Sequence, residues 1–141
     1  MSNVEVVQSS YDAFARGDVP AVLANFDPGI EWREAEGNPY NPDGSAWVGP
    51  DAIAENLFMK IGAEWDGFTV TPNEIYEAGD TVVAECRYTG TYKATGKSID
   101  GQFCHVWKLS DGKLTSFQQY GDTAQLQDVM GAREPAGAGA A

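Results

Sequence analysis

The chain has 141 residues, 43 % hydrophobic and 21 % charged, the composition of a single globular domain able to bury a real core. A formal net charge of −12 repels polyanions, so nucleic acid and an anionic membrane surface are excluded as partners. No apolar run reaches the roughly 18 residues of a membrane span, and MSNVEVVQSS has no basic segment leading into an apolar stretch, so a cytoplasmic protein is expected.

Ser2 and Glu5 have the spacing of a capping box, and Val4, Val7, Tyr11 and Phe14 recur at helical intervals until Gly17. Asp18 and Pro20 open a second, short helix carrying Val22, Leu23 and Phe26. Asp27, Pro28 and Gly29 then turn the chain into a strand on which Ile30, Trp32 and Glu34 share one face. Residues 35–49 are rich in Gly, Pro and Asn and read as a long loop, a length often used for lids. Gly49 and Pro50 start a third helix with Ile53, Leu57 and Ile61 on its inner side.

From residue 67 the hydrophobic period becomes two. Turn signals at Gly79-Asp80 and Asp111-Gly112 help divide the remainder into four consecutive strands. Phe103, the single histidine His105, Trp107 and Leu109 share one strand face, and Phe117, Gln119 and Gly121 share a face of the last strand. Asp122 reads as the cap of a short final turn. The segment 131–141, GAREPAGAGAA, has no core-forming pattern and is expected to be a disordered tail beyond a single domain of residues 1–130.

This order predicts an α+β fold: a strongly curved antiparallel sheet wrapped around three N-terminal-half helices, forming a cone with an internal cavity. The outer face, with Cys104 and Val106, stays partly apolar and is expected to form a homodimer. Glu85 and Arg87 are expected to form a surface or interface ion pair. Cys86 and Cys104 lack the spacing of a zinc or redox motif and read as reduced. A single histidine without a convergent carboxylate cluster gives no metal site.

The segment GDVPAVLANF, the aromatic-acidic strand EWREAE, the helix start WVGPDAI and the hairpin HVWKLSDGKLTSF resemble the ketosteroid isomerase-like and SnoaL-like polyketide cyclase families across residues 3–127. Both have the nuclear transport factor 2 fold. The resemblance implies that Glu34 takes the position of the isomerase carboxylate base. It implies that His105 stands where the isomerases carry a protonated aspartic acid and the cyclases a histidine. Gln119 falls where the cyclases carry an aspartate base, and Ser10 is the nearest match to the oxyanion-hole tyrosine of the isomerases.

Desolvation raises the pKa of an inward carboxylate into a range useful for a base near neutral pH. Imidazole can donate to a carbonyl oxygen. We therefore expect a cofactor-independent acid–base enzyme acting on a small, largely apolar carbonyl compound by isomerisation, dehydration or aldol-type cyclisation. Glu34 and His105 would be catalytic, with Ser10, Phe14, Trp32, Tyr88, Phe103, Trp107, Phe117 and Gln119 binding substrate. The alternative is a non-catalytic small-molecule-binding module of the same fold.

Overall fold

The computed structural model describes residues 1–132; of the expected tail, residues 133–141 lie outside the described residues. Helix α1 spans Asn3–Ala15 and α2 spans Val19–Ala24. Ser2 Oγ accepts the Glu5 N–H at 3.1 Å while Glu5 Oε1 accepts the Ser2 N–H at 3.3 Å, completing the capping box. Gly17, at φ +73°, ends α1 in a conformation that a side chain would strain. Asp18 Oδ1 caps α2 by accepting the Ala21 N–H at 3.1 Å. Phe26, expected on α2, instead begins strand β1 (Phe26–Arg33), where Pro28 disfavours helical backbone at the preceding Asp27.

The loop expected at 35–49 contains a two-residue strand β2, Trp47–Val48, paired antiparallel with β1. The third helix is continuous but not uniform: α3 (Pro50–Ile53) passes through a π-helical turn (Ala54–Phe58) into α4 (Met59–Glu64). The wider turn brings the sequence neighbours Leu57 and Phe58 both into the core, and Ile61 is half-buried.

Strands β3 (Trp65–Ala78), β4 (Thr81–Tyr92), β5 (Ser98–Ser110) and β6 (Lys113–Gly121) form an antiparallel meander. The sheet order is β2-β1-β6-β5-β4-β3. β1 lies parallel to β6, so the sheet is mixed and not antiparallel throughout. Alternation in a sequence reveals which face is buried, but not the direction of the neighbouring strand. β3 begins at Trp65, two residues before the expected change of period, because a register shift between Asp66 and Thr69 interrupts the alternation.

β6 leads into α5 (Thr123–Val129), longer than the turn expected there, with Asp122 Oδ1 accepting the Gln125 N–H at 3.0 Å. Leu126 and Val129 are buried. Among the described residues no helix is long and apolar enough to cross a membrane.

The inner sheet face carries Val82, Ala84, Cys86 and Tyr88 from β4, and Phe103, His105, Trp107 and Leu109 from β5, all buried. On the outer side Arg87 pairs with Asp100 at 2.7 Å and Glu85 accepts from the Tyr76 hydroxyl at 2.8 Å. The expected Glu85–Arg87 pair is thus replaced by cross-strand partners. Arg33 pairs with Glu31 at 3.0 Å, also on the exposed side. Cys86 and Cys104 are free thiols.

Candidate functional site

Register places His105 on β5 between Ala84 of β4 and Gln119 of β6. The small Ala84 leaves room beside the ring, and Tyr11 of α1 stacks on it with ring centroids 5.8 Å apart. The Tyr11 hydroxyl lies 2.6 Å from His105 Nδ1, and the Tyr88 hydroxyl lies 2.5 Å from Nε2. Both ring nitrogens are therefore engaged by tyrosines. Trp107 Nε1 donates to the Tyr11 oxygen at 2.9 Å, and Gln119 Nε2 donates to the Tyr88 oxygen at 3.0 Å.

The orientation of the Gln119 amide follows from its other end. Its Oε1 accepts the Ala35 backbone N–H at 3.1 Å, and only an oxygen can do so. The same oxygen accepts from Asn38 Nδ2 at 2.9 Å. Gln119 thus joins Tyr88 to the residue that follows Glu34.

Glu34 sits just past the end of β1 and is 2 % exposed. Its position continues the inward parity of Ile30 and Trp32, both buried. Trp32 Nε1 donates to Glu34 Oε2 at 3.3 Å. Burial raises the Glu34 pKa to about 8, a rise only partly opposed by that hydrogen bond. Burial also lowers the pKa of His105 to about 3, so the imidazole is neutral at physiological pH. Tyr11 and Tyr88 are held well above the usual tyrosine range by burial. At pH 7 the inside of the cone therefore carries almost no net charge.

These groups line a cavity of about 70 Å³ whose remaining wall is mostly aromatic and aliphatic. Trp32 stacks on Phe117 with centroids 3.7 Å apart, and Trp107 meets Phe117 edge-on at 4.7 Å. Phe14 lines the cavity while packing on Phe58 and Phe68. Ser10 also lines it, but its hydroxyl donates to Val6 O at 3.2 Å and accepts from Asn25 Nδ2 at 3.0 Å. Phe103 stands behind the wall, stacked on Tyr88 at 4.0 Å, and so is a support and not a lining residue. Gly121 is required there: a Cβ at this position would lie 2.1 Å from Phe103 Cδ2.

The structure thus brings Glu34, His105, Trp32, Tyr88, Trp107, Phe117, Gln119, Ser10 and Phe14 to one cavity. Sequence reasoning missed Tyr11, Asn38 and Tyr40, which line it too. Tyr11 was detectable as the helical neighbour of Val7, one position from Ser10. Asn38 and Tyr40 lie in the 35–49 loop, where no periodicity marks an inward residue. Tyr40 donates to Glu64 Oε1 at 2.7 Å and accepts from Trp65 Nε1 at 3.0 Å, and Gln127 Nε2 donates to Gly37 O at 2.7 Å. The loop is thereby fastened to α4, β3 and α5. Among the described residues, no group of three or more His, Cys, Asp or Glu side chains is arranged to hold a metal ion.

An inward-lined cone with this strand order is the nuclear transport factor 2-like fold. Residues 7–117 match the SnoaL-like domain, and the chain belongs to that family. An NTF2-like protein from Burkholderia thailandensis is 36 % identical, with a TM-score of 0.87 over 96 % of this chain and 99 % of its own. TerC, co-crystallised with polyporic acid, is 28 % identical, with a TM-score of 0.81 over 92 % of this chain and 98 % of its own. A protein of ketosteroid isomerase-like fold from Catenulispora acidiphila, in complex with trimethylamine, shares the fold at 19 % identity and a TM-score of 0.77, covering 93 % and 98 % of the two chains. No curated protein matches the sequence.

Proposed function

We propose that the cone binds a small, largely apolar carbonyl compound and catalyses a proton-transfer reaction on it without an organic cofactor. The observation that carries this reading is Glu34: a fully buried carboxyl with its pKa raised to about 8, on the wall of the same cavity as Tyr88 and His105. A carboxylate placed there removes a proton alpha to a carbonyl once ionised, and in its protonated form returns that proton to another atom. The developing enolate oxygen is stabilised by the hydrogen-bonded group centred on His105. One base that both takes and returns a proton suits isomerisation, dehydration or aldol-type cyclisation. That TerC was co-crystallised with polyporic acid supports a small organic ligand for this chain.

The second reading is a non-catalytic binding module. It is favoured by Gln119, whose amide is committed to Tyr88, Ala35 and Asn38 and cannot act as a base. A screen of small enones, beta-diketones and hydroxy-ketones separates the two. Turnover by wild type that collapses in Glu34→Gln supports the enzyme. Ligand binding without turnover of any of them supports the module.

We also propose a two-fold homodimer on the outer sheet face, where Cys104 and Val106 are half-buried and Tyr120 is 58 % exposed.

A further inference from the structure

Tyr11, His105 and Tyr88 form a linear chain whose outer ends both receive hydrogens. Trp107 Nε1 can only donate, so it fills one acceptor position on the Tyr11 oxygen. Gln119 Nε2, oriented by the Ala35 N–H, fills one on the Tyr88 oxygen. Burial keeps His105 neutral, so the imidazole supplies one N–H and one acceptor nitrogen. Two hydroxyl hydrogens and one imidazole hydrogen then serve two internal contacts. One hydrogen is left over, and the tautomer of His105 decides which tyrosine holds it.

If Nδ1 carries the hydrogen, the free O–H belongs to Tyr11, whose oxygen then has to accept from Nδ1–H, from Trp107 Nε1–H and, at 3.8 Å, from the Cys86 thiol, one donor more than its two lone pairs take. If Nε2 carries it, the free O–H belongs to Tyr88. Glu34, when ionised, acts electrostatically on Tyr88. Gln119 also ties Tyr88 to the residue following Glu34. A ligand that meets Glu34 is therefore offered hydrogen by Tyr88.

We infer that the Tyr88 hydroxyl is the group that receives the ligand's oxygen, with His105 Nε2–H and Gln119 Nε2–H both donating to the Tyr88 oxygen from behind. His105 and Tyr11 are positioning residues, and the ligand class is a planar enol, phenol or the corresponding enolate. This rests on the proposed carbonyl-binding role of the cavity and changes its donor: His105 acts through Tyr88. The chain polarises Tyr88 but does not pass its proton on, because a shift of all three hydrogens would leave a phenolate at buried Tyr11. The proton moved in the reaction is thus carried by Glu34 alone.

The test uses phenol, para-chlorophenol and para-nitrophenol as probes, titrated calorimetrically into wild type, Tyr88→Phe and Tyr11→Phe. Wild type should bind more tightly as the phenol becomes more acidic, because a more acidic probe is more readily held as its phenolate, and a hydrogen bond to a charged acceptor is stronger than one to a neutral acceptor. Tyr88→Phe should flatten this dependence and lose about tenfold or more for the most acidic probe. Tyr11→Phe should reduce the slope by less than Tyr88→Phe does, because Tyr11 acts on the ligand only through His105 and Tyr88. A slope retained in Tyr88→Phe, a slope lost in Tyr11→Phe instead, or no phenol bound by wild type would each overturn the inference.

Should Tyr88→Phe fail to fold, the imidazole nitrogen NMR shifts of wild type with bound phenol decide. A protonated Nε2 with a bare Nδ1 supports the inference, and the opposite tautomer overturns it. Phenol binding does not require turnover, so a failure of Glu34 as base leaves this result independent.

Discussion

The two ends of the cavity are built differently. At the His105 end Trp107, Tyr11, His105, Tyr88 and Gln119 are joined through four contacts between 2.5 and 3.0 Å. At the Glu34 end a buried carboxyl receives, among the described residues, one hydrogen bond, of 3.3 Å, from Trp32. A satisfied polar network fixes geometry, whereas a buried acid with so little support is destabilised in its charged form. The first end holds a donor in place, and the second holds a group whose charge state is easily changed.

The largest effect should come from removing the second. Glu34→Gln keeps the shape of the side chain and removes its acid–base capacity, so turnover should fall about a hundredfold or more. Wild-type kcat/KM should rise with pH towards an apparent pKa near 8, since only the ionised carboxyl accepts a proton.

The same substitution should raise stability. Between about pH 4.5 and 8 the unfolded Glu34 is ionised while the folded carboxyl keeps its proton, so wild-type stability falls as pH rises through that window. Glutamine has no such dependence. Glu34→Gln should therefore gain on the order of a few kcal/mol over wild type above pH 8, relative to their difference below pH 4.5. Urea unfolding across this range checks it, and a pH-independent difference would remove the buried-acid account.

The opposite end is broken through its support. Gly121→Ala would push a Cβ into Phe103, on which Tyr88 is stacked, and should cost about 1–3 kcal/mol with weakened phenol binding. An unchanged melting temperature would show that Phe103 has room to move. The smallest effect concerns the outside of the sheet: light scattering at micromolar concentration should give a dimer mass, and a monomer mass would discard the proposed interface.

The inner end of the site was legible in the sequence to the extent that it lies on regular elements. The period of two put Phe103, His105 and Trp107 on one face, and parity carried Ile30 and Trp32 on to Glu34. The capping box of α1, the Asp18 cap of α2 and the turn residues of the β5–β6 hairpin located those elements for the same local reason. What stayed hidden depends on contacts distant in sequence. The parallel pairing of β1 with β6, the π turn and the inward placing of Asn38 and Tyr40 are decided by packing. Tyr11 was one residue from the position singled out on α1, and only tertiary structure shows that its hydroxyl meets His105 94 residues away.

The most direct measurement is a titration of wild-type Glu34, followed by the side-chain carboxyl carbon shift in NMR and assigned by its disappearance in Glu34→Gln. A midpoint near pH 8 is predicted, from burial of the carboxyl with a single hydrogen bond to stabilise its charge. A midpoint near 4.5, the ordinary value for a glutamate, would mean that the carboxyl is solvated, and would contradict the account of Glu34 as a buried base.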